Sequence, residues 1–213
     1  MIPIALLAGG RWSSIAAAAA TVAALLAVSF VTLGGDVWHA FADSMTFTQT
    51  VVLEQGGTGW EKIKSVFSAV RMWGAGVHFA YAVQFALALM LAASLGWLWR
   101  SDAAFELKAS ALATASLLAT PYVLDYDLVA LAVGMVFFIR HGLRRGFRTF
   151  EISLLAAAWI APLLTRAVAG VTGIPLGLMV LLALHAFTLR RAVIDRAAIV
   201  NEIARAETDL FRA

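Results

Sequence analysis

Two aspartates, Asp125 and Asp127, lie in the densest polar cluster that the sequence places beside an apolar segment. They close the sequence Thr120-Pro-Tyr-Val-Leu-Asp-Tyr-Asp127, which separates two apolar runs. Carboxylates at such a boundary can act as a general base, or can orient sugar hydroxyls or a cationic group. The structural alternative is that Asp125 caps the helix that follows and Asp127 stabilises its positive end. The local pattern leaves both interpretations open.

The composition places this cluster in a membrane protein. Of 213 residues, 62% are hydrophobic and 14% charged, whereas soluble domains have roughly 45–50% and about 25%. No charge lies between Arg11 and Asp36 or between Arg71 and Arg100, and about 20 apolar residues cross a bilayer. This excludes a soluble enzyme and a nucleic-acid-binding domain. The chain has no cysteine, and its four histidines are too scattered to indicate a metal site.

The apolar runs predict an all-α fold, a polytopic transmembrane helical bundle with about six spans. Two amphipathic helices are expected in an outer loop, and charges mixed with apolar residues predict a cytoplasmic amphipathic helix as the tail. The transmembrane domain covers residues 1–189, with spans near 14–33, 74–99, 109–122, 126–139, 152–170 and 174–189, an outer loop over 34–73 and the tail over 190–213.

The placement of Lys and Arg orients the six predicted spans, because cytoplasmic loops carry an excess of these residues. With Arg11 in the cytoplasm, twelve of the 16 Lys and Arg residues fall on the cytoplasmic side and four on the outer side. The C-terminus is then cytoplasmic, and Asp125 and Asp127 face outward. Topology and anionic lipid account for the basic loop over residues 140–148, so we expect no nucleic acid as partner.

The outer loop contains two patterns typical of helices at a membrane surface. Asp36 is expected to cap the first helix, and Thr58-Gly-Trp-Glu61 fits a capping box for the second, which continues to Val70. Lys62 and Lys64 lie on the second helix. They are expected either to be solvated or to meet a lipid phosphate.

Arg166 is a cation inside the fifth predicted span, four residues after Pro162. Such a residue can bind a phosphate. It can also extend to the outer headgroups or pair with a carboxylate such as Asp125.

The cluster around Asp125 resembles a known family signature. Leu118-Ala-Thr-Pro-Tyr-Val-Leu-Asp-Tyr-Asp-Leu128 is similar to the "TPY..DYDL" signature of glycosyltransferase family 87, whose members are polytopic membrane enzymes. Shorter similarities occur in the same order along the chain, at Gly10-Arg-Trp12, Leu53-Glu-Gln-Gly56, Trp60-Glu-Lys62, Ser65-Val-Phe67 and His141-Gly-Leu-Arg-Arg-Gly146.

The resemblance implies a hexosyltransferase of the bacterial inner membrane that works among membrane lipids and requires no cofactor. Its donor is a polyprenyl-phosphate sugar, commonly mannose-type, and a base deprotonates the acceptor hydroxyl on the outer face. Asp125 and Asp127 are then the candidate catalytic residues. The candidate substrate-binding residues are Tyr122, Glu54, Lys62, Lys64 and Arg166.

The length departs from the family pattern, because members are much longer than this chain. In such enzymes the catalytic aspartate lies on the first outward loop, and no such loop precedes the first predicted span. We therefore expect the chain to resemble the C-terminal half only, with a missing N-terminal half as its partner. Whether the chain alone is an enzyme stays open. The alternative is a non-enzymatic multi-pass membrane protein, either a partner subunit or a small transporter.

Overall fold

The computed structural model describes the backbone of residues 1–210 and the side chains of residues 1–198, 200 and 201. Every regular element in this part of the chain is helical, which confirms the all-α prediction. Short turns of π-helix and 3₁₀-helix cover Thr48–Glu54, Trp60–Lys62 and Asp125–Ala130. The α-helices are α1 (Ile2–Ala8), α2 (Trp12–Leu33), α3 (Gly35–Phe47), α4 (Val66–Met72), α5 (Val77–Arg100), α6 (Phe105–Ala119), α7 (Leu131–Arg145), α8 (Glu151–Thr172) and α9 (Leu176–Leu210).

Five helical segments of the described chain are long and apolar enough to cross a membrane, so the protein is a multi-pass membrane protein. They are Trp12–Leu33, Val77–Arg100, Asp125–Arg145, Glu151–Thr172 and Leu176–Ala198. The predicted count of six is not confirmed, because α6, in place of the third predicted span, has only 15 residues. At 1.5 Å per residue it is roughly 22 Å long, shorter than the ~30 Å hydrocarbon core.

Helix α6 lies at the centre of the bundle, where it contacts α5, α7 and α9. Its small residues Ala111 and Ala115 are fully buried, which allows neighbouring helices to approach closely. Its polar residues are paired with α9: the Ser110 and Thr188 hydroxyl oxygens are 3.2 Å apart, and Thr114 Oγ1 is 3.0 Å from His185 Nδ1.

Two ends of the bundle differ in chemistry. We call the end with residues 34–76, 120–124 and 173–175 the loop end. The opposite end, with residues 101–104 and 146–150, is the arginine end. There Arg191 pairs with Glu151 at 3.0 Å, and both side chains are only 2% exposed. Arg191 also contacts Asp195, four residues on, at 3.0 Å.

Helix α9 continues without interruption past residue 190, where the predicted tail begins. Arg191 is therefore buried in the bundle rather than placed on a surface helix. The rest of the predicted tail over 190–213 lies partly outside the described residues.

At the loop end, the observed helices differ from the two surface helices that the sequence predicts. Gly34 precedes α3, so Asp36 lies in its first turn rather than at its cap. The predicted capping box at Thr58–Glu61 is wrong: the cap of α4 is Ser65, whose side chain accepts a hydrogen bond from Ser68 N at 3.1 Å. Gly59 has φ +88°, and a 3₁₀ turn follows it, so no α-helix starts there.

Helix α4 packs into the bundle, whereas α2 and α3 do not. Phe67 and Val70 of α4 are 0% and 8% exposed, in a cluster with Tyr81 and Tyr122, so this segment does not lie on the membrane surface. In contrast, α2 and α3 have no buried residue in the described structure. Only α3 therefore has the exposure that the sequence predicted for the loop helices.

Gln84 of α5 joins three helices at the loop end. Its Oε1 accepts a hydrogen bond from Phe67 N at 3.1 Å, and its Nε2 donates to Leu118 O at 2.9 Å. The last carbonyls of a helix have no partner within the helix, and Pro121 brings no N–H to the turn that follows α6. Gln84 therefore supplies a donor that the end of α6 lacks.

Substitution Gln84→Leu should destabilise the bundle, because it leaves the Phe67 N–H and the Leu118 carbonyl unpaired. Each buried group left unpaired costs about 1–3 kcal/mol. Thermal unfolding of the purified protein in detergent would measure the loss. The matched control is Phe85→Leu, at the next position of α5, whose side chain is 65% exposed and should matter little. Equal unfolding temperatures for Gln84→Leu and the wild type would contradict this role.

Candidate functional site

The site begins where α6 ends. Residues 120–124 are not helical, and they pair with the loop segment before α4. An antiparallel bridge joins Ile63 to Leu124, and Lys64 N donates to Val123 O at 2.6 Å. The structure thus brings the Thr120–Asp127 cluster and the predicted lysine pair together.

Lys64 is almost completely buried, with 2% of its side chain exposed. Its Nζ lies 2.7 Å from Asp125 Oδ1 and also donates to the carbonyl of Glu61. Asp125 is less enclosed, at 30% exposed. A buried ammonium requires a counter-ion and hydrogen bonds, and this pair supplies both.

The stem of Lys64 fits against α8 and α9. Gly177, at the start of α9, is so close that an added Cβ would lie 3.2 Å from Lys64 Cδ and 2.7 Å from Thr165 Oγ1. Thr165 of α8 in turn accepts a hydrogen bond from Gly177 N at 2.8 Å. The ion pair is therefore enclosed by the loop, the start of the Asp125 turn, α8 and α9.

The structure assigns Asp125 a different partner from the one that the sequence offered. Arg166 lies on an exposed side of α8 and forms no ion pair with any described residue. Lys64 takes the place beside Asp125 instead. The two lysines also differ, because Lys62 is half-buried and Lys64 is enclosed. The prediction of a shared solvated face is therefore wrong for Lys64.

The structure gives the capping hydrogen bond to Asp127, whereas the sequence interpretation offered Asp125 as the cap. Asp127 Oδ2 accepts a hydrogen bond from Leu124 N at 2.8 Å, at the start of the 3₁₀ turn that leads into α7. Asp125, by contrast, forms the ion pair with Lys64. One hydrogen bond does not saturate a carboxylate, which has about four lone-pair sites, so Asp127 keeps capacity to bind a hydroxyl.

A groove of about 360 Å³ opens beside Asp127. It contains an acid, a threonine and two tyrosines, the types of side chain that bind hydroxyls and pack against rings. Of the tyrosines, Tyr126 is 69% exposed, and Tyr122 also packs against the α4 cluster. The lining residues are Leu117, Thr120, Tyr122, Val123, Tyr126, Asp127, Val129 and Ala130.

Glu54 belongs to a separate polar group in the loop. Its Oε1 accepts hydrogen bonds from Tyr81 Oη at 3.0 Å and Gln49 Nε2 at 3.1 Å. Arg71 donates to the Glu54 carbonyl oxygen at 2.9 Å and stacks over Trp60 at 4.8 Å from the ring centroid. The geometry gives Glu54 a role in ordering the loop, apart from the Lys64–Asp125 pair.

Sequence reasoning missed Thr165 and Gly177, which carry no motif and take part only through the packing of α8 on α9. For Gln84, in contrast, the sequence alone indicates a contact between helices, because a glutamine within an apolar span requires a partner from a neighbouring helix. For metals, the described residues contain no group of three or more His, Cys, Asp or Glu side chains that could hold an ion.

The fold and the site define a polytopic helical membrane protein with a polar groove at one end of its bundle. The model of glycosyltransferase family 87 matches residues 1–121, more than half of the chain, and the protein belongs to this family. Its general class is therefore that of a membrane glycosyltransferase, and its surroundings are membrane lipid. Neither the curated proteins nor the solved structures include a match.

The matched range covers only part of the site. Glu54, Lys62 and Lys64 lie within residues 1–121, whereas Asp125 and Asp127 lie beyond it. The family is thus shown by the first part of the chain, not by the acidic end of the signature. A match of this extent does not bear out the expectation that the chain resembles the C-terminal half only.

Substitution Lys64→Met should destabilise the loop end, because it keeps the apolar stem but leaves Asp125 without its cation. Asp125 is partly exposed, so we expect a loss of about 1–3 kcal/mol. The matched control Lys62→Met should have a small effect. A double-mutant cycle with Asp125→Asn, measured by unfolding in detergent, should give a coupling of about 0.5–3 kcal/mol. Additive effects would show that the pair contributes nothing.

Substitution Gly177→Ala should destabilise the contact of α8 with α9 by about 1–3 kcal/mol, as overpacking does. Combining it with Thr165→Ala removes the oxygen that the new Cβ would meet, so the double variant should lose less than the sum of the two. The control is Gly170→Ala on α8, where the nearest atom is 3.8 Å from the added Cβ. If Gly177→Ala and Gly170→Ala have the same free energy of unfolding, close packing at Gly177 is refuted.

Proposed function

We propose that this protein takes part in moving a mannose-type hexose from a polyprenyl-phosphate donor to an acceptor on the outer face of the bacterial inner membrane. Family membership supports the general class of membrane glycosyltransferase. The observation that carries the proposal is the buried Lys64–Asp125 pair, with 2.7 Å between its charged atoms. It fixes the loop against the Thr120–Asp127 cluster and so shapes one polar groove.

In this proposal Asp127 contacts the sugar or the acceptor. It lines the groove, and a carboxylate that retains free lone pairs can accept a hydrogen bond from a hydroxyl. Asp125 acts as a positioning residue, because Lys64 occupies one of its oxygens. Tyr122 and Tyr126 form an aromatic wall, against which a sugar ring or the start of a prenyl chain would pack.

The donor phosphate would lie on the lysine side of the site. An ammonium group has three N–H donors, and Lys64 directs its Nζ to Asp125 and to the Glu61 carbonyl. Because only 2% of the Lys64 side chain is exposed, the half-buried Lys62 is the cation that would contact a phosphate oxygen. Glu54 supports the loop from its own cluster, and Arg166 extends from α8 to outer headgroups rather than to the donor.

The topology that we propose places the loop end outside and the arginine end, with the C-terminus, in the cytoplasm. The excess of arginine at the latter end supports this orientation. The predicted transmembrane domain of residues 1–189 then extends along α9 to Ala198, so the proposed cytoplasmic tail begins after the buried Arg191 rather than at residue 190.

A non-enzymatic partner subunit is the second candidate. It is favoured by α2 and α3, which have no buried residue in the described structure and so leave a helix face for another subunit. Stable co-purification of this chain with a second membrane protein, without sugar transfer by the complex, would support that candidate.

Substitution Asp127→Asn should lower transfer of radiolabelled mannose from polyprenyl-phosphate mannose, in membranes that contain the protein. We expect a loss of about tenfold or more, because a hydrogen bond to a charged group contributes about 1.5–3 kcal/mol. Asp43→Asn is the control: it makes the same chemical change on α3, where Asp43 is exposed. Wild-type membranes that do not transfer the sugar, or equal transfer by Asp127→Asn and Asp43→Asn, would refute the proposed role.

A further inference from the structure

A second groove lies at the arginine end, far from the Lys64–Asp125 pair. Its volume is about 510 Å³, and it runs between the last turns of α5 and the side of α9. Two arginines from different helices, Arg100 and Arg196, face the same space. The lining residues are Ala93, Gly96, Trp97, Arg100, Ser101, Asp102 and Arg196.

These two arginines differ from most of their neighbours. Arg100 and Arg196 form no ion pair within the described part of the chain, although carboxylates are plentiful at this end. Asp102 also lines the groove, so two cations face one acid and the net charge is positive. The arginines that do pair with acids at this end are Arg140, Arg144, Arg148 and Arg191.

The groove is polar at one end and apolar at the other. Arg100, Ser101 and Asp102 lie where α5 ends, whereas Ala93 and Trp97 lie one to two turns further into the membrane-spanning helix. Trp97 is 40% exposed, and tryptophan is enriched at the level of lipid headgroups. A free phosphate would use only the polar end, while a phospholipid would use the whole length.

We propose that this groove binds the headgroup of an anionic phospholipid, with Arg100 and Arg196 clamping its phosphate and the first acyl carbons lying along Ala93 and Trp97. Arginine binds phosphate with two parallel N–H donors, and basic pockets between membrane helices are typical headgroup sites. This site rests on its own geometry and not on sugar transfer at the loop end.

Three sets of substitutions each test a different feature of the groove. Arg100→Gln with Arg196→Gln removes the clamp. Gly96→Leu fills the groove, and it should fold normally because an added Cβ meets no atom within 4 Å. Asp102→Asn removes the acid that opposes the ligand, so it should tighten binding. The control is Arg145→Gln, which removes one charge of the same kind from an exposed residue at the same end, outside the groove.

Native mass spectrometry of the protein released from detergent micelles would count the bound lipids, with phosphatidylglycerol or phosphatidylcholine titrated as the probe. The wild type should retain phosphatidylglycerol preferentially. The double arginine variant should weaken this binding about 25-fold, because each arginine contributes a factor of about five. Gly96→Leu should also weaken it, whereas Arg145→Gln should not.

Three results would overturn the proposal. Equal retention of the two lipids would show that the headgroup charge is not recognised. An equal loss of affinity per arginine removed, in Arg145→Gln and in the double variant, would show general attraction rather than a site. Displacement of phosphatidylglycerol by inorganic phosphate would assign the groove to a free anion. None of these results depends on the mannose transfer assay, so the two proposals fail separately.

Discussion

The end of α6 at Pro121 is the constraint on which the loop end depends. Within a bilayer no water is present to pair backbone groups, so a non-helical segment must find its partners inside the protein. Gln84 donates to Leu118 O, Lys64 N donates to Val123 O, and Ile63 bridges to Leu124. The loop before α4 is therefore drawn into the bundle, and the polar groove forms beside the break.

Ion pairs with at least one buried side chain lie at both ends of the bundle and join segments that are distant in sequence. Lys64 and Asp125 join the loop to the turn before α7, and Arg191 and Glu151 join α9 to α8. Removing such charges from water is costly, and each pair offsets that cost only with good geometry and further hydrogen bonds. The neighbouring carbonyls of Glu61 and Gly146 provide them.

The distribution of packing separates two parts of the chain. Helices α4 to α9 contribute buried residues to the core, whereas α2 and α3 have no buried residue in the described structure. The family match covers α1 to α6, and the groove begins at the boundary where that match ends. The site thus combines a loop from the matched part with acids from the part beyond it.

Composition and charge-free runs were enough to establish the fold class, because a long apolar segment has few stable states other than a membrane helix. The sequence also located the Thr120–Asp127 cluster, since Pro121 must interrupt a helix wherever it occurs. The sequence did not determine the number of spans, because α6 is apolar but short. Its place at the centre of the bundle depends on its packing against α5, α7 and α9.

Only the tertiary structure decided which residues meet. Local spacing placed Lys64 on a helix face open to solvent or to lipid phosphate, but the backbone bridge between Ile63 and Leu124 turns it inward. The sequence offered Arg166 as a partner for Asp125, but the structure pairs Asp125 with Lys64. These two side chains are sixty-one positions apart and approach only once the loop has folded onto the bundle. The hydrophobic periodicity of the sequence describes each helix separately, whereas an ion pair between two segments depends on how all the helices pack together.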